Sequence, residues 1–207
     1  MPEYTAARRH GGRHPDAARD AALREAALAL LSEVGYDGMT VDAVAARAKA
    51  GKNTIYRRWS GKAELVIDAL SHAKGDTEYP DTGSLSGDLH AVADALADTE
   101  GRIDARVILG IAHAMARDTE LRRVFEESFV TPHTAGLRRV FDRAAARGEI
   151  PADRDRELLA SVFPALTLQE LLVSGAAATP EFARRLMDEV VFPLATAPTR
   201  TAGDPHP

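Results

Sequence analysis

The stretch from Thr40 to Trp59, TVDAVAARAKAGKNTIYRRW, constrains the fold most, because it reads as two short helices joined by a tight turn. Between Arg47 and Lys62 the chain carries six cations and no carboxylate. A helix pair whose second member is basic and aromatic can place an array of side chains in the major groove of DNA. The feature points to nucleic-acid binding rather than to catalysis.

The rest of the chain is helical in its periodicity, and no alternating strand pattern bounded by hairpin turns is visible. The expected fold is all-α, with about nine helices. Pro15 and Asp16 start the first, and Leu23, Ala26, Ala27, Leu30, Leu31 and Val34 form one stripe before Gly35 stops it. Thr40 and Asp42 open a second helix, Lys52 or Asn53 a third, and Gly61-Lys62 a fourth. A Gly-, Pro-, Asp-, Ser- and Thr-rich loop from Gly75 to Gly87 then precedes a fifth helix from Leu85 and a sixth from Ile103. In the seventh helical region, the stripe Leu121, Val124, Phe125, Ser128, Phe129 and the stripe Leu137, Val140, Phe141, Ala144 are roughly 160° out of phase on a straight helix. Pro132 lies between them, so a kink or a break is expected there. An eighth helix, Arg154 to Ser174, is apolar on two sides, and a ninth opens at Thr179-Pro180.

Charge is unevenly divided along the 207 residues, whose net charge is −5. Residues 1–65 carry +3 and residues 66–207 carry −8, so a mildly basic head sits on an acidic body. That asymmetry fits a localised polyanion-binding surface. Cysteine is absent, which excludes disulfides, thiolate metal sites and a cysteine nucleophile. Neither a signal peptide nor a membrane span is expected, and a cytoplasmic location fits.

In the helix pair, close crossing requires a small residue midway along the first helix, a place that Ala45 occupies. Val41, Val44, Ile55 and Trp59 would lock the crossing angle, which makes Trp59 a core residue. The second helix would expose Lys52, Asn53, Thr54, Tyr56, Arg57 and Arg58, groups able to reach phosphates or base edges. Thr40-Val41, Val44-Ala45, Asn53-Thr54-Ile55-Tyr56, Trp59 and Lys62-Ala63-Glu64-Leu65 together resemble the tetracycline-repressor-like (TetR) family of bacterial transcription regulators, over about residues 16–70. The resemblance implies that Thr40, Thr54, Tyr56, Arg58 and Lys62 contact phosphates and that Lys52, Asn53 and Arg57 approach base edges. The family usually has Gly in the turn where this chain has Lys49. Either Lys49 is held left-handed, at a cost on the order of 1 kcal/mol, or the turn is shifted toward Gly51.

The same resemblance implies a reading head over 16–62 and an effector-binding and dimerisation body over 63–197, while composition adds a flexible basic arm over residues 1–15 and a disordered tail over 198–207. Arg8, Arg9 and Arg13 would lie in the arm, either reaching a minor groove or without a role. The implied partners are an inverted-repeat DNA operator, a second copy of the chain and an unidentified small-molecule effector, with no cofactor and no metal. Leu168, Leu171, Leu172, Phe182, Leu186 and Val190 are the candidate dimer contacts. Phe125, Phe129, Phe163 and Leu166 are candidate walls of an effector pocket, with His133, Gln169 and Glu170 as polar groups among them. Glu170, within an apolar stripe, would be paired across the dimer or poised for a ligand.

An enzyme fits poorly, since no phosphate-cradling Gly-rich motif, metal-binding histidine pair or nucleophile setting is recognisable. His10 and His14 have helical ligand spacing but lie in a Gly-rich stretch beside three arginines. A helical interaction module that has lost specific DNA binding is the remaining alternative.

Overall fold

The computed structural model describes residues 15–75, 78–97, 103–176 and 178–198. Arg8, Arg9, Arg13, His10, His14 and the tail beyond Pro198 lie outside the described residues. Nine helical regions and no strands make up the described chain: α1 (Pro15–Gly38), α2 (Val41–Arg47), α3 (Lys52–Tyr56), α4 (Lys62–Lys74), α5 (Leu85–Ala97), α6 (Ala105–Met115), α7 (119–146), α8 (Arg156–Ser174) and α9 (180–196). Side-chain caps explain where several of them start. The oxygens of Thr40, Asp104, Asp118, Asp155 and Thr179 each accept from a backbone N–H in the first turn of the helix that follows. Gly35 breaks the helical path of α1 at φ 70° and ψ 176°, as its place in the sequence suggests.

Two apolar cores organise these helices. The first joins Leu23, Ala27 and Leu31 of α1, Val44 of α2, Ile55 of α3, Leu65, Val66 and Leu70 of α4, Ile111 of α6 and Leu121 of α7. The second joins Leu85 and Leu89 of α5, Val140 and Phe141 of α7, Leu159 and Phe163 of α8, and Leu186, Met187 and Val191 of α9. Only α7 contributes buried residues to both, one half to each, and this is why its two stripes disagree.

Of the kink or break expected at Pro132, the break does not occur. Instead α7 runs as Thr119–Phe125, a π-helical turn Glu126–Val130, and Thr131–Ala146. A π turn takes in one extra residue, which re-aims the following side chains by about 100° and absorbs most of the phase difference. Pro132 follows that widened turn, where the carbonyls it would otherwise crowd are already displaced. The same arrangement recurs in α9, where the π turn Met187–Val191 precedes Pro193.

A buried polar network fastens the loop before α5 to the second half of α7. Asp88, with a side chain 0% exposed, accepts from the Thr82 N–H at 2.6 Å and the Thr82 hydroxyl at 2.7 Å, and pairs with Arg143 at 3.4 Å and Arg147 at 3.2 Å. Beside it the Tyr79 ring packs against Gly136, where an added Cβ would come within 2.2 Å of the ring. Only glycine permits that approach.

α8 is long and apolar enough to cross a membrane by length and composition, a property the sequence reading did not credit. In the fold one side of it, Leu159, Ala160 and Phe163, enters the second core. Another side leaves Leu158, Leu168, Leu172 and Val173 exposed.

Candidate nucleic-acid interface

The helix pair forms from short-range interactions that the sequence specifies. Thr40 Oγ1 accepts from the Ala43 N–H at 3.1 Å to start α2, and the Ala50 N–H closes the turn on the Ala45 carbonyl at 2.9 Å. Lys49, at φ 51°, is the sole non-glycine residue of positive φ among the described residues, whereas Gly51 has φ −75°. The turn is therefore centred on Lys49 and is not shifted toward Gly51. The register of Lys52 and Asn53 follows, with α3 opening at Lys52.

Val44 and Ile55 are fully buried, Ala45 and Trp59 nearly so, and Val41 packs on the same core. Trp59 is held further by its indole N–H, which donates to Asp68 at 2.8 Å, while Arg24 bonds the same carboxylate at 2.7 Å and lies over the ring. The outer surface of α3 thus stands on a well-packed base.

Thr40, Lys52, Asn53, Tyr56, Arg57 and Arg58 are all exposed, and Thr54 is half-buried. Their ionic partners differ in ways that matter for DNA. Lys52 reaches Asp42 at 2.8 Å, which raises its pKa, and its ammonium also sits over the Tyr56 ring at 5.9 Å. Arg57 is 4.0 Å from Asp16. Both pairs are solvent-exposed and weak, so a phosphate can replace the carboxylate at little cost. Arg58 is bound more firmly, 3.0 Å from an Asp20 carboxylate that is only 11% exposed.

Lys62 faces inward rather than toward the presented surface. Its ammonium donates to the carbonyls of Tyr36 at 2.8 Å and Met39 at 3.1 Å and stands 4.1 Å from the Tyr36 ring centre. Burial lowers its pKa. Two of its three donors are spent on these carbonyls, which leaves one for a phosphate. Lys49 is the cation that sequence reasoning passed over. It is exposed at the apex of the turn and has no acidic partner among the described residues. Its place in the basic run was the available signal.

The candidate effector residues do not assemble into one pocket. Phe125, Phe129 and His133 stack along one face of α7 at ring separations of 5.1 and 5.0 Å, beside the first core. Phe163 is buried in the second core and Leu166 packs against it, while Gln169 is exposed and Glu170 half-buried. A cleft of about 290 Å³ instead lies at the junction of head and body, lined by Asp20, Arg24, Arg58, Asp68, Ser71 and Ser128 among others. It is polar, and none of the expected residues lines it. The candidate dimer contacts divide too. Leu168 and Leu172 are exposed, Phe182 and Val190 are half-buried, and Leu171 and Leu186 turn inward, buried within their own chain.

Comparison with known proteins identifies the family. Residues 23–69 match the bacterial regulatory proteins of the tetR family, and residues 79–190 match the tetracyclin repressor-like C-terminal domain. A DNA-binding transcriptional repressor TetR of Mycobacteroides abscessus is 36% identical over 178 residues, covering 85% of this chain and 93% of that one. An uncharacterized HTH-type transcriptional regulator of Mycobacterium tuberculosis, Rv1556, is 32% identical over 186 residues, covering 89% and 92%. Among solved structures, Salmonella enterica GusR superposes with a TM-score of 0.68 at 18% identity, covering 88% of this chain and 97% of that one, which is a likeness of fold. The chain belongs to the TetR family of bacterial transcription regulators, all-helical proteins that bind operator DNA through an N-terminal helix-turn-helix.

Proposed function

We propose that the protein is a homodimeric repressor that binds an inverted-repeat operator in the bacterial cytoplasm and leaves it when a small effector binds the body. Residues 16–62 serve as the reading head and residues 63–197 as the effector and dimer body. Thr40, Lys49, Lys52, Asn53, Tyr56 and Arg57 meet the DNA, with Thr54 and Arg58 at the margin of the contact. The observation that carries this reading is the exposed polar and cationic face of α3 on a base fixed by Val44, Ile55 and Trp59.

A dimer follows from geometry, since two recognition helices must stand roughly 34 to 36 Å apart to enter successive major grooves. The exposed apolar row of Leu168, Leu172 and Val173 on α8, with Leu194 on α9, supplies a surface for it. Repression is favoured over activation because a dimer on a promoter acts by occlusion, and the 36% identical relative is named a repressor. Effector release requires a ligand that binds the non-DNA-binding arrangement more tightly, because equal affinity for both shifts nothing.

A fluorescence-anisotropy titration against the DNA flanking the coding sequence, with excess non-specific competitor, tests the reading. Specific binding that weakens steeply with salt is expected, and the double substitution Tyr56→Ala, Arg57→Ala should weaken it while leaving the melting curve nearly intact. Sequence-blind binding both there and in a selection from random DNA would refute it.

A further inference from the structure

Lys74, in the last turn of α4, places its ammonium 5.2 Å from the centre of the Phe129 ring, and no carboxylate pairs with it among the described residues. One turn earlier on the same side of α4, the Ser71 hydroxyl is buried without a hydrogen-bond partner. A half-buried ammonium and a buried hydroxyl, each left without a polar partner among the described residues, are costly in a folded protein unless something completes them. The facing wall is aromatic. Phe125 and Phe129 stack at 5.1 Å with planes 18° apart, and His133 continues the column 5.0 Å from Phe129. The column spans the π turn, a local irregularity often found where a protein binds something. His133 adds no charge of its own. Its Nδ1 faces the Phe129 carbonyl and so carries the proton, and burial and the nearby Lys74 lower its pKa, leaving a neutral ring.

We propose that the last turn of α4 and the π turn of α7 together bind a small aromatic carboxylate, its anionic group on Lys74, with Ser71 one turn away, and its ring against Phe125 and Phe129. This names a chemical class for the effector and so rests on the effector-release reading above. Burial brings the pKa of Lys74 down to about 8, which leaves the ammonium protonated at neutral pH and poorly compensated until an anion arrives. The site is also well placed to act on the head. α4 begins at Lys62, three residues after Trp59, and runs 13 residues as one rod to Lys74.

The test uses the full chain and a matched pair of probes, 4-(trifluoromethyl)benzoate and 4-(trifluoromethyl)benzamide, titrated by fluorine NMR at pH 7. The benzoate is expected to bind at least about tenfold more tightly than the amide, whereas Lys74→Met should bind the two within about twofold and Lys74→Arg should keep most of the preference. Lys74→Met should also melt higher, because it removes an unpaired, half-buried charge; a lower melting point would mark Lys74 as structural and overturn the proposal. Equal binding of the two probes by the wild-type protein, binding of neither, or a preference that survives Lys74→Met would overturn it as well. A parallel anisotropy titration with operator DNA separates this proposal from the reading beneath it. If the benzoate binds through Lys74 and DNA affinity does not change, the site stands and effector release by that route fails. If other molecules release the DNA while the benzoate is not preferred, release stands and the aromatic-acid class falls.

Discussion

Lys49 holds a left-handed conformation that glycine would adopt without strain, and its side chain gains no partner in return among the described residues. Lys49→Gly should therefore raise stability by about 1 kcal/mol in urea titration, while Lys49→Ala, still bearing a Cβ, should give no such gain. Because the same lysine stands on the surface proposed to face DNA, the glycine variant should also bind operator more weakly, with a salt slope smaller by about one ion. A stabilised variant of unchanged DNA affinity would remove Lys49 from the interface. The adjoining Lys52–Asp42 pair makes a second prediction. Asp42→Asn should strengthen operator binding by roughly three- to tenfold at low salt, narrowing at high salt, since it removes a carboxylate that competes for Lys52 and repels phosphate. Unchanged or weaker binding would mean that Asp42 presents Lys52 rather than restraining it. At this scale the sequence conveyed which residues share the outer surface, because that depends on local helix register. It could not reveal that Arg58 turns back to Asp20 or that Lys62 caps α1, because those partners lie 38 and 26 or fewer residues away and meet only when α1 folds over the head.

Beyond the two apolar cores, elements are fastened to one another by ion pairs that periodicity does not register, and Asp88 is the most buried carboxylate among them. Desolvation alone would raise its pKa, but the bonds from Thr82 and Arg147 and the charge of Arg143 outweigh that and hold it below the usual carboxylate value. A carboxyl depressed in the folded state contributes fully above its unfolded pKa of about 3.9, and the contribution drains away as pH falls through that value toward the folded one. Asp88→Asn should cost roughly 2–4 kcal/mol at pH 7, because it leaves Arg143 and Arg147 without their shared anion. It should also flatten the acid limb of the stability curve below about pH 5, as followed by urea titrations across pH. A steep acid limb in the variant would assign the acid sensitivity to other carboxylates, such as Asp104 or Asp118, which are also held low. Helix starts were legible because capping residues act on the next three positions. The passage of α7 from one core to the other was legible only as a phase conflict, and it is resolved by a π turn ahead of Pro132 rather than by a break. The division of the effector candidates between two cores had no local signature at all, since apolar stripes do not say which neighbour they meet.

At the level of the whole molecule, α8 and the end of α9 present large apolar side chains to solvent. Leu158, Leu168, Leu172, Val173 and Leu194 are 64, 41, 53, 75 and 46% exposed, a concentration of large apolar side chains that an isolated chain would leave in water. Covering it with a second copy would bury apolar area and set two reading heads on one side of the assembly, so the dimer and the DNA contact stand or fall together. Leu168→Glu with Leu172→Glu should give a folded monomer, because both side chains are exposed in their own chain, and sedimentation equilibrium should report the change in mass directly. Operator affinity in the same variant should fall by at least about 100-fold, since the second half-site is then no longer delivered at high effective concentration by the first. Retention of the dimer would move the interface to another face of α8 and α9. A monomer that still bound the inverted repeat with full affinity would show that each head reads DNA alone, and would overturn the two-fold reading of the operator.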